Sequence, residues 1–360
     1  MSGLPANAVF RSKTHFEILD GLRGVAALGV VIFHFIEMYT PHPDDLIAHA
    51  YLAVDFFFCL SGFVVAYAYD DRLAQMGLKT FFKQRLVRLH PLVVLGTILG
   101  LLGFLFDPFG NQVEAYSTGK LALLFFASIL MIPYPIIAER AFNNFGLNAP
   151  AWTLFWEYVA NIVYALVLHR LKRVWLLILA IVAAVGIFYV AKSAGNISGG
   201  WSKDNFWDGG VRVAFSFLAG MCVFRYQLII KNKLGFPLVA LLLALAFFVP
   251  YNDNWNWLTE PLLIVIYFPF LVALGAGTVL NPAHQGICRL SGQLSYPLYI
   301  THYFVLWAFG NYYAQAQPSH QTLAWVIPSL IIGQIIIAYL AMKFYDLPIR
   351  KWFSPKKEAS

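Results

Sequence analysis

The stretch Leu19-Asp-Gly-Leu-Arg-Gly-Val-Ala-Ala-Leu-Gly-Val-Val-Ile-Phe-His-Phe35 is apolar over most of its length, yet it carries Arg23 and His34. Eleven residues is close to three full helical turns. Both side chains therefore project from one helical face, roughly 16 Å apart along the axis. If the stretch crosses a bilayer, a cation lies near one end and a titratable imidazole well inside. Ionisable groups in that setting are costly and point first to function.

The rest of the chain supplies the bilayer. Of its 360 residues, 60% are hydrophobic and only 12% charged, against about 25% charged in a soluble globular domain. The deficit runs over the whole length, which predicts an all-α polytopic membrane protein and a single membrane domain over 1–360. The first 18 residues are polar and mixed, so no cleaved signal peptide is expected and the first span inserts itself. Cys59, Cys222 and Cys288 fall in separate apolar stretches and give neither metal spacing nor a disulfide framework.

Apolar stretches long enough to span occur at 19–39, 47–69, 89–106, 152–169, 174–191, 208–226, 234–250, 259–280, 294–313 and 322–345. An eleventh run, 120–137, is broken by Pro133 and Pro135. If it does not cross, both termini are cytoplasmic and 20 of the 25 Lys and Arg lie inside. If it crosses, the split is 12 to 13 and the positive-inside bias vanishes. The run is therefore expected to be re-entrant or peripheral, within a long outer region, 107–151. The net charge of +7 speaks first to topology, and no nucleic-acid partner is expected. The loop Tyr251–Trp257 reads as an interfacial aromatic belt, with a platform for a sugar ring as the alternative.

This topology turns positions into depths. Arg23 falls near the inner face and His34 in the outer half. Asp55 and Glu157, on inward-running spans, fall at a height similar to His34. A neutral histidine there suits general-base work, with Asp55, Glu157 or Glu37 to orient it; the alternative is a packing histidine bonded across helices. At the inner end Arg85 and Arg88, three apart, share a face with Arg23 nearby. Guanidinium forks bind phosphate, so a phosphorylated cofactor at this mouth is expected, against simple snorkelling to headgroups. His302 is a second intramembrane histidine, as fit for helix–helix bonding as for catalysis. Ser61-Gly62 favours close helix packing over a nucleophilic serine, which has no base within a turn.

Together these motifs have a family likeness. Leu19–Ala27 with His34 eleven residues beyond Arg23, Asp55-Phe-Phe-Phe-Cys-Leu-Ser-Gly-Phe63, Arg85-Leu-Val-Arg88 with Pro91, Trp152-Thr-Leu-Phe-Trp-Glu157, Ser295-Tyr-Pro-Leu-Tyr-Ile-Thr-His302 and Tyr345-Asp-Leu-Pro-Ile-Arg350 occur in an order that resembles the acyltransferase 3 family. The resemblance implies about ten helices, cytoplasmic acyl-CoA, chiefly acetyl-CoA, as donor, and transfer to a hydroxyl of a carbohydrate or other acceptor in a bacterial inner membrane. It implies functional roles for Arg23, His34, Arg85 and Arg88, with Asp20, Ser61, Tyr299 and His302 as further candidates and no metal. Thr153 stands where serine is commoner in the family. With the sequence ending at Ser360, no hydrolase-like domain is expected to follow. His34 can act as general base or as a nucleophile through an acyl-imidazole. The competing class, a proton-coupled transporter or flippase, predicts an inverted repeat, and none is visible.

Overall fold

The computed structural model describes residues 15–41, 44–110 and 113–353. Residues 1–14, from which no cleaved leader is expected, lie outside it, as do Lys356 and Lys357 of the charge count. Among the described residues the fold is all-helical, with no strand. Its main elements are α1 (Glu17–Glu37), α2 (Ala53–Tyr69), α3 (Leu73–Leu105), α4 (Thr118–Ile129), α5 (Ala151–Leu166), α6 (Arg173–Ala194), α7 (Phe206–Arg225), α8 (Gly235–Phe247), α9 (Asn256–Leu262), α10 (Phe268–Gly277), α11 (Pro282–Thr301), α12 (Tyr303–Ala316), α13 (His320–Ala341) and α14 (Leu347–Phe353). A π-helical turn joins α9 to α10, next to Pro269, and another joins α13 to α14.

Seven helical stretches are long and apolar enough to cross a membrane: Glu17–Glu37, Ala50–Tyr69, Leu73–Leu105, Arg173–Ala194, Phe206–Arg225, Asn256–Gly277 and His320–Phe353. The protein is a multi-pass membrane protein. Peripheral helices keep large apolar side chains on their outer surfaces, such as Val182 and Val185 on α6 and Trp325 and Ile332 on α13, where lipid is the matching solvent. The other three expected spans are shorter or broken. α5 and α8 have 16 and 13 residues. The stretch 294–313 is split between α11 and α12, with His302 at the break. α4 has 12 residues, about 18 Å. The chain then turns back through Met131, whose backbone is left-handed.

α1 is the central helix and packs against α2, α8, α10 and α11. Glycines set the closest approaches. A Cβ on Gly62 would lie 2.0 Å from the Phe217 carbonyl oxygen, and one on Gly220 would lie 1.9 Å from that of Cys59. α2 and α7 thus touch backbone to backbone, which is the packing role expected of Ser61-Gly62. The segment 79–91, which carries Arg85 and Arg88, lies within α3. Gly77, with φ +75°, bends the chain just before it, and the helix then continues through Pro91.

Candidate active site

The amino-terminal end of α1 opens on a cavity of about 240 Å³ lined by α1, α2, α3, α5, α11 and α14. Five guanidinium groups face it: Arg23, Arg85, Arg88, Arg289 and Arg350. Only two carboxylates do, Asp20 and Glu157. Positive charge concentrated in a low-dielectric cleft attracts anions.

Each arginine is placed by local chemistry. Asp20, one turn before Arg23, accepts from its Nη2 at 2.9 Å. Arg23 also donates to Ser295 Oγ at 2.9 Å and to the Gly292 carbonyl at 2.8 Å, which locks α1 to α11. Arg85 is buried and donates to Glu157 at 2.6 Å, and Ser61 Oγ donates to the same carboxylate oxygen at 3.1 Å. One turn on from Arg85, Arg88 faces the same cavity. Arg289 pairs with Glu17, and Arg350 with Asp346 one helical turn earlier.

Away from the arginines the cavity becomes apolar and aromatic, lined by Val54, Phe57, Phe58 and Tyr299. Thr153 Oγ1 donates to the Pro150 carbonyl at 2.8 Å, so the 3.1 Å contact between Thr153 and Tyr299 has the phenol as donor. Beyond Tyr299 stands His302, fully buried, with Nδ1 2.8 Å from the Tyr299 carbonyl. A carbonyl accepts only, so Nδ1 carries the proton. Nε2 holds the lone pair, and among the described residues no group hydrogen-bonds to it. The His302 ring stacks on His34, centroids 5.4 Å apart. His34 sits one turn from the carboxy-terminal end of α1, its Nδ1 against Glu37 Oε1, and its side chain is 31% exposed. By the same logic Nδ1–H points at Glu37 and Nε2 is the basic nitrogen.

The sequence put Asp55 and Glu157 at a height similar to His34 as candidates to orient it, and the structure pairs them with Arg212 and Arg85 instead. Asp55 is fully buried against Arg212, with Nη2 to Oδ2 at 2.6 Å, and the same guanidinium donates to the Gly199 carbonyl and lies over Trp152. Depth along α2 does not fix rotation, and Asp55 faces α7, not α1. Glu157 lies in the cavity on Arg85. Its helix, α5, begins at the buried residue Ala151. Glu37 is the carboxylate on His34. Arg212, Arg289 and Arg350 were not singled out as site residues. The Tyr345–Arg350 motif was the one signal for Arg350; Arg289 and Arg212 had none beyond their charge.

Comparison with known proteins agrees with the motifs. The model of the acyltransferase domain matches residues 16–343. The O-acetyltransferase OatA of Staphylococcus aureus (strain MRSA252) is 25% identical over 391 aligned residues, covering 97% of this chain and 60% of its own length. Protein 2 in the picA locus of Rhizobium radiobacter is 38% identical over 159 residues, 42% of this chain and 81% of that protein. The chain thus spans about 60% of the length of the O-acetyltransferases it matches. No solved structure matches it. A family match over nearly the whole chain, with the family's motifs gathered on one cavity and one histidine pair, means that the chain belongs to the acyltransferase domain family.

Proposed function

We propose that the protein is a membrane O-acyltransferase that moves an acyl group, most simply acetyl, from cytoplasmic acyl-CoA to a hydroxyl of a carbohydrate or other cell-envelope or secondary-metabolite acceptor. The observation that carries this reading is the arginine-lined cavity, one of whose walls, Tyr299, touches the His302 ring that stacks on His34. In this reading 1–360 forms one domain in a bacterial inner membrane. The shorter helices complete about ten crossings, both termini are cytoplasmic, and the 120–137 segment is re-entrant.

Arg23, Arg85 and Arg88 hold the coenzyme A phosphates, joined by Arg289 and Arg350. Asp20 orients Arg23, and Ser61 with Glu157 orients Arg85. The pantetheine arm runs past Tyr299, with the thioester toward His302. His34, its Nδ1–H held by Glu37, takes the acceptor hydroxyl proton on Nε2 as the oxygen attacks the thioester carbonyl. The carbon–sulfur bond breaks, and the departing thiolate takes that proton from the imidazolium. Asp55 supports this frame through Arg212.

The test is CoA release from acetyl-CoA by the protein in proteoliposomes supplied with envelope glycans. Wild type should release free thiol and His34→Ala should not. Full transfer by His34→Ala overturns the mechanism. Substrate movement with no thiol release would mark a transporter.

A further inference from the structure

Among the described residues, Arg140 is a buried cation with no carboxylate in ion-pair contact. Its side chain is 5% exposed. Its guanidinium lies over the rings of Phe104 at 4.9 Å, Trp307 at 5.0 Å and Tyr303 at 5.8 Å. Nη1 donates to the Gly146 carbonyl at 2.5 Å, and Nε meets no acceptor. Two nearby acids are engaged elsewhere. Asp107 accepts from Asn311 at 2.7 Å, and Glu139 accepts from Tyr116 at 2.7 Å. The other two buried arginines, Arg85 and Arg212, both have a carboxylate.

Aromatic faces offset part of the desolvation of a guanidinium. They do not satisfy its N–H edge, and an unmet buried charge is costly. The backbone pays further for this placement, because Ala141 and Phe142 are both left-handed.

Arg140 does not stand alone. Asn144 Nδ2, both amide atoms of Asn148, Thr97 Oγ1 and His302 Nε2 are also buried without a hydrogen-bond partner among the described residues. Asn148 lies against the backbone of α3 and α11, since a Cβ on Gly96 would meet its Nδ2 at 2.3 Å and the Ile300 carbonyl oxygen at 2.8 Å. Ile300 is two residues from His302, and Tyr303, which covers Arg140, is the next residue after it. Tyr303 is also within electrostatic reach of Glu37, the carboxylate on His34. The unmet groups therefore belong to three segments that meet here, α3, residues 140–148 and the α11–α12 break. Native structures leave few such groups, and each costs about 1–3 kcal/mol. A row of them beside aromatic rings is a site that a polyhydroxylated ligand completes.

We infer that this region, between α3, residues 140–148 and α12, is the acceptor site, and that the acceptor is a polyhydroxylated molecule bearing an oxyanion, a carboxylate or a phosphate, held by the Arg140 guanidinium. The inference rests on the acyl-transfer reading and names its substrate class.

The test uses purified full-length protein in detergent, with methyl β-glucuronide and glucose 1-phosphate as anionic probes and methyl β-glucoside as the neutral control. Thermal stabilisation is measured for wild type, Arg140→Gln, Arg140→Lys and Trp307→Phe. Wild type should be stabilised by an anionic sugar at a concentration at least tenfold below that needed for the glucoside. Whichever anionic probe acts tells carboxylate from phosphate. Arg140→Gln should lose this preference, Arg140→Lys should keep part of it, and Trp307→Phe, which keeps the ring and loses the donor, should weaken binding of all three sugars. Acetyl-CoA should stabilise all four proteins equally. Equal response to charged and neutral sugars, no response of wild type to either anion, or an unchanged preference in Arg140→Gln overturns the inference. Should Arg140→Gln fail to fold, Arg140→Lys and Trp307→Phe decide it. Failure of acetyl-CoA to bind wild type would sink the acyl-transfer reading instead.

Discussion

His34 and His302 lie nearly face to face, ring centroids 5.4 Å apart and planes inclined by 16°. One ring belongs to the last turn of α1 and the other to the break between α11 and α12. His34 has a carboxylate partner and partial exposure, whereas His302 has a carbonyl partner and none. The two rings are thus chemically unequal. Replacing His34 with alanine should lower acetyl transfer by about 10²–10⁴-fold, the range for a general base. His302→Phe keeps a ring in the stack and removes the free lone pair. It should lower turnover by a smaller factor while acetyl-CoA affinity stays constant. Equal losses for the two variants would count against this division.

Glu37→Gln can still accept from His34 Nδ1–H through its amide oxygen, but it no longer stabilises an imidazolium. The turnover number in proteoliposomes should fall, with the KM for acetyl-CoA unchanged. A change confined to KM would place Glu37 in binding instead.

The arginines should show the opposite split. A hydrogen bond to a charged group is worth about 1.5–3 kcal/mol, or roughly 10–100-fold in affinity. Arg85→Ala should weaken acetyl-CoA binding by that factor, measured by calorimetry in detergent. Added salt should weaken wild-type binding more than it weakens the variant's.

The Asp55–Arg212 pair is fully buried. Removing one partner leaves the other charge uncompensated, at a cost of about 3–5 kcal/mol. Arg212→Ala and Asp55→Ala should each lower the thermal midpoint sharply. Asp55→Leu with Arg212→Met should recover most of the loss. A double variant as unstable as either single one would show that the pair does more than neutralise itself.

Gly220→Val should separate α2 from α7, because the added Cβ meets the Cys59 carbonyl oxygen at 1.9 Å. Backbone cannot move aside as a side chain does, and overpacking of this kind costs roughly 1–3 kcal/mol or more. Gel filtration in detergent should show a marked drop in the folded fraction. The same change at Gly286, where a Cβ meets nothing within 4 Å, should be tolerated.

The periodicity and composition of the sequence were enough for the helical membrane class, because hydrophobic length is a local property. The grouping of Arg23, Arg85 and Arg88 was legible for a related reason: spacing on one helix fixes a shared face, and the charge bias gives that face an end. The partners of Asp55 and Glu157 were not legible. Which neighbour a carboxylate meets depends on helix rotation and on where each helix begins within the bundle, and both are long-range properties. Arg212 met Asp55 across 157 residues of chain. Arg140 read only as an outer-loop charge, since nothing local announces that three aromatic rings will close over it. The break at His302 was hidden because Ser295–His302 is apolar enough to read as part of one continuous span.

The tethers on the cavity arginines bear on selectivity. Arg23, Arg85, Arg289 and Arg350 are each already fastened to a carboxylate. A free arginine side chain loses up to about 2 kcal/mol of rotamer freedom when it is fixed, and here much of that loss precedes any encounter. If these arginines form the proposed donor site, most of its guanidiniums are held in place before a ligand arrives. Stiff receptors discriminate by fit, so a polyanion with its phosphates spaced differently gains little from the same total charge. Nucleotides matched in charge but not in phosphate geometry should be poor competitors, however abundant they are beside the membrane.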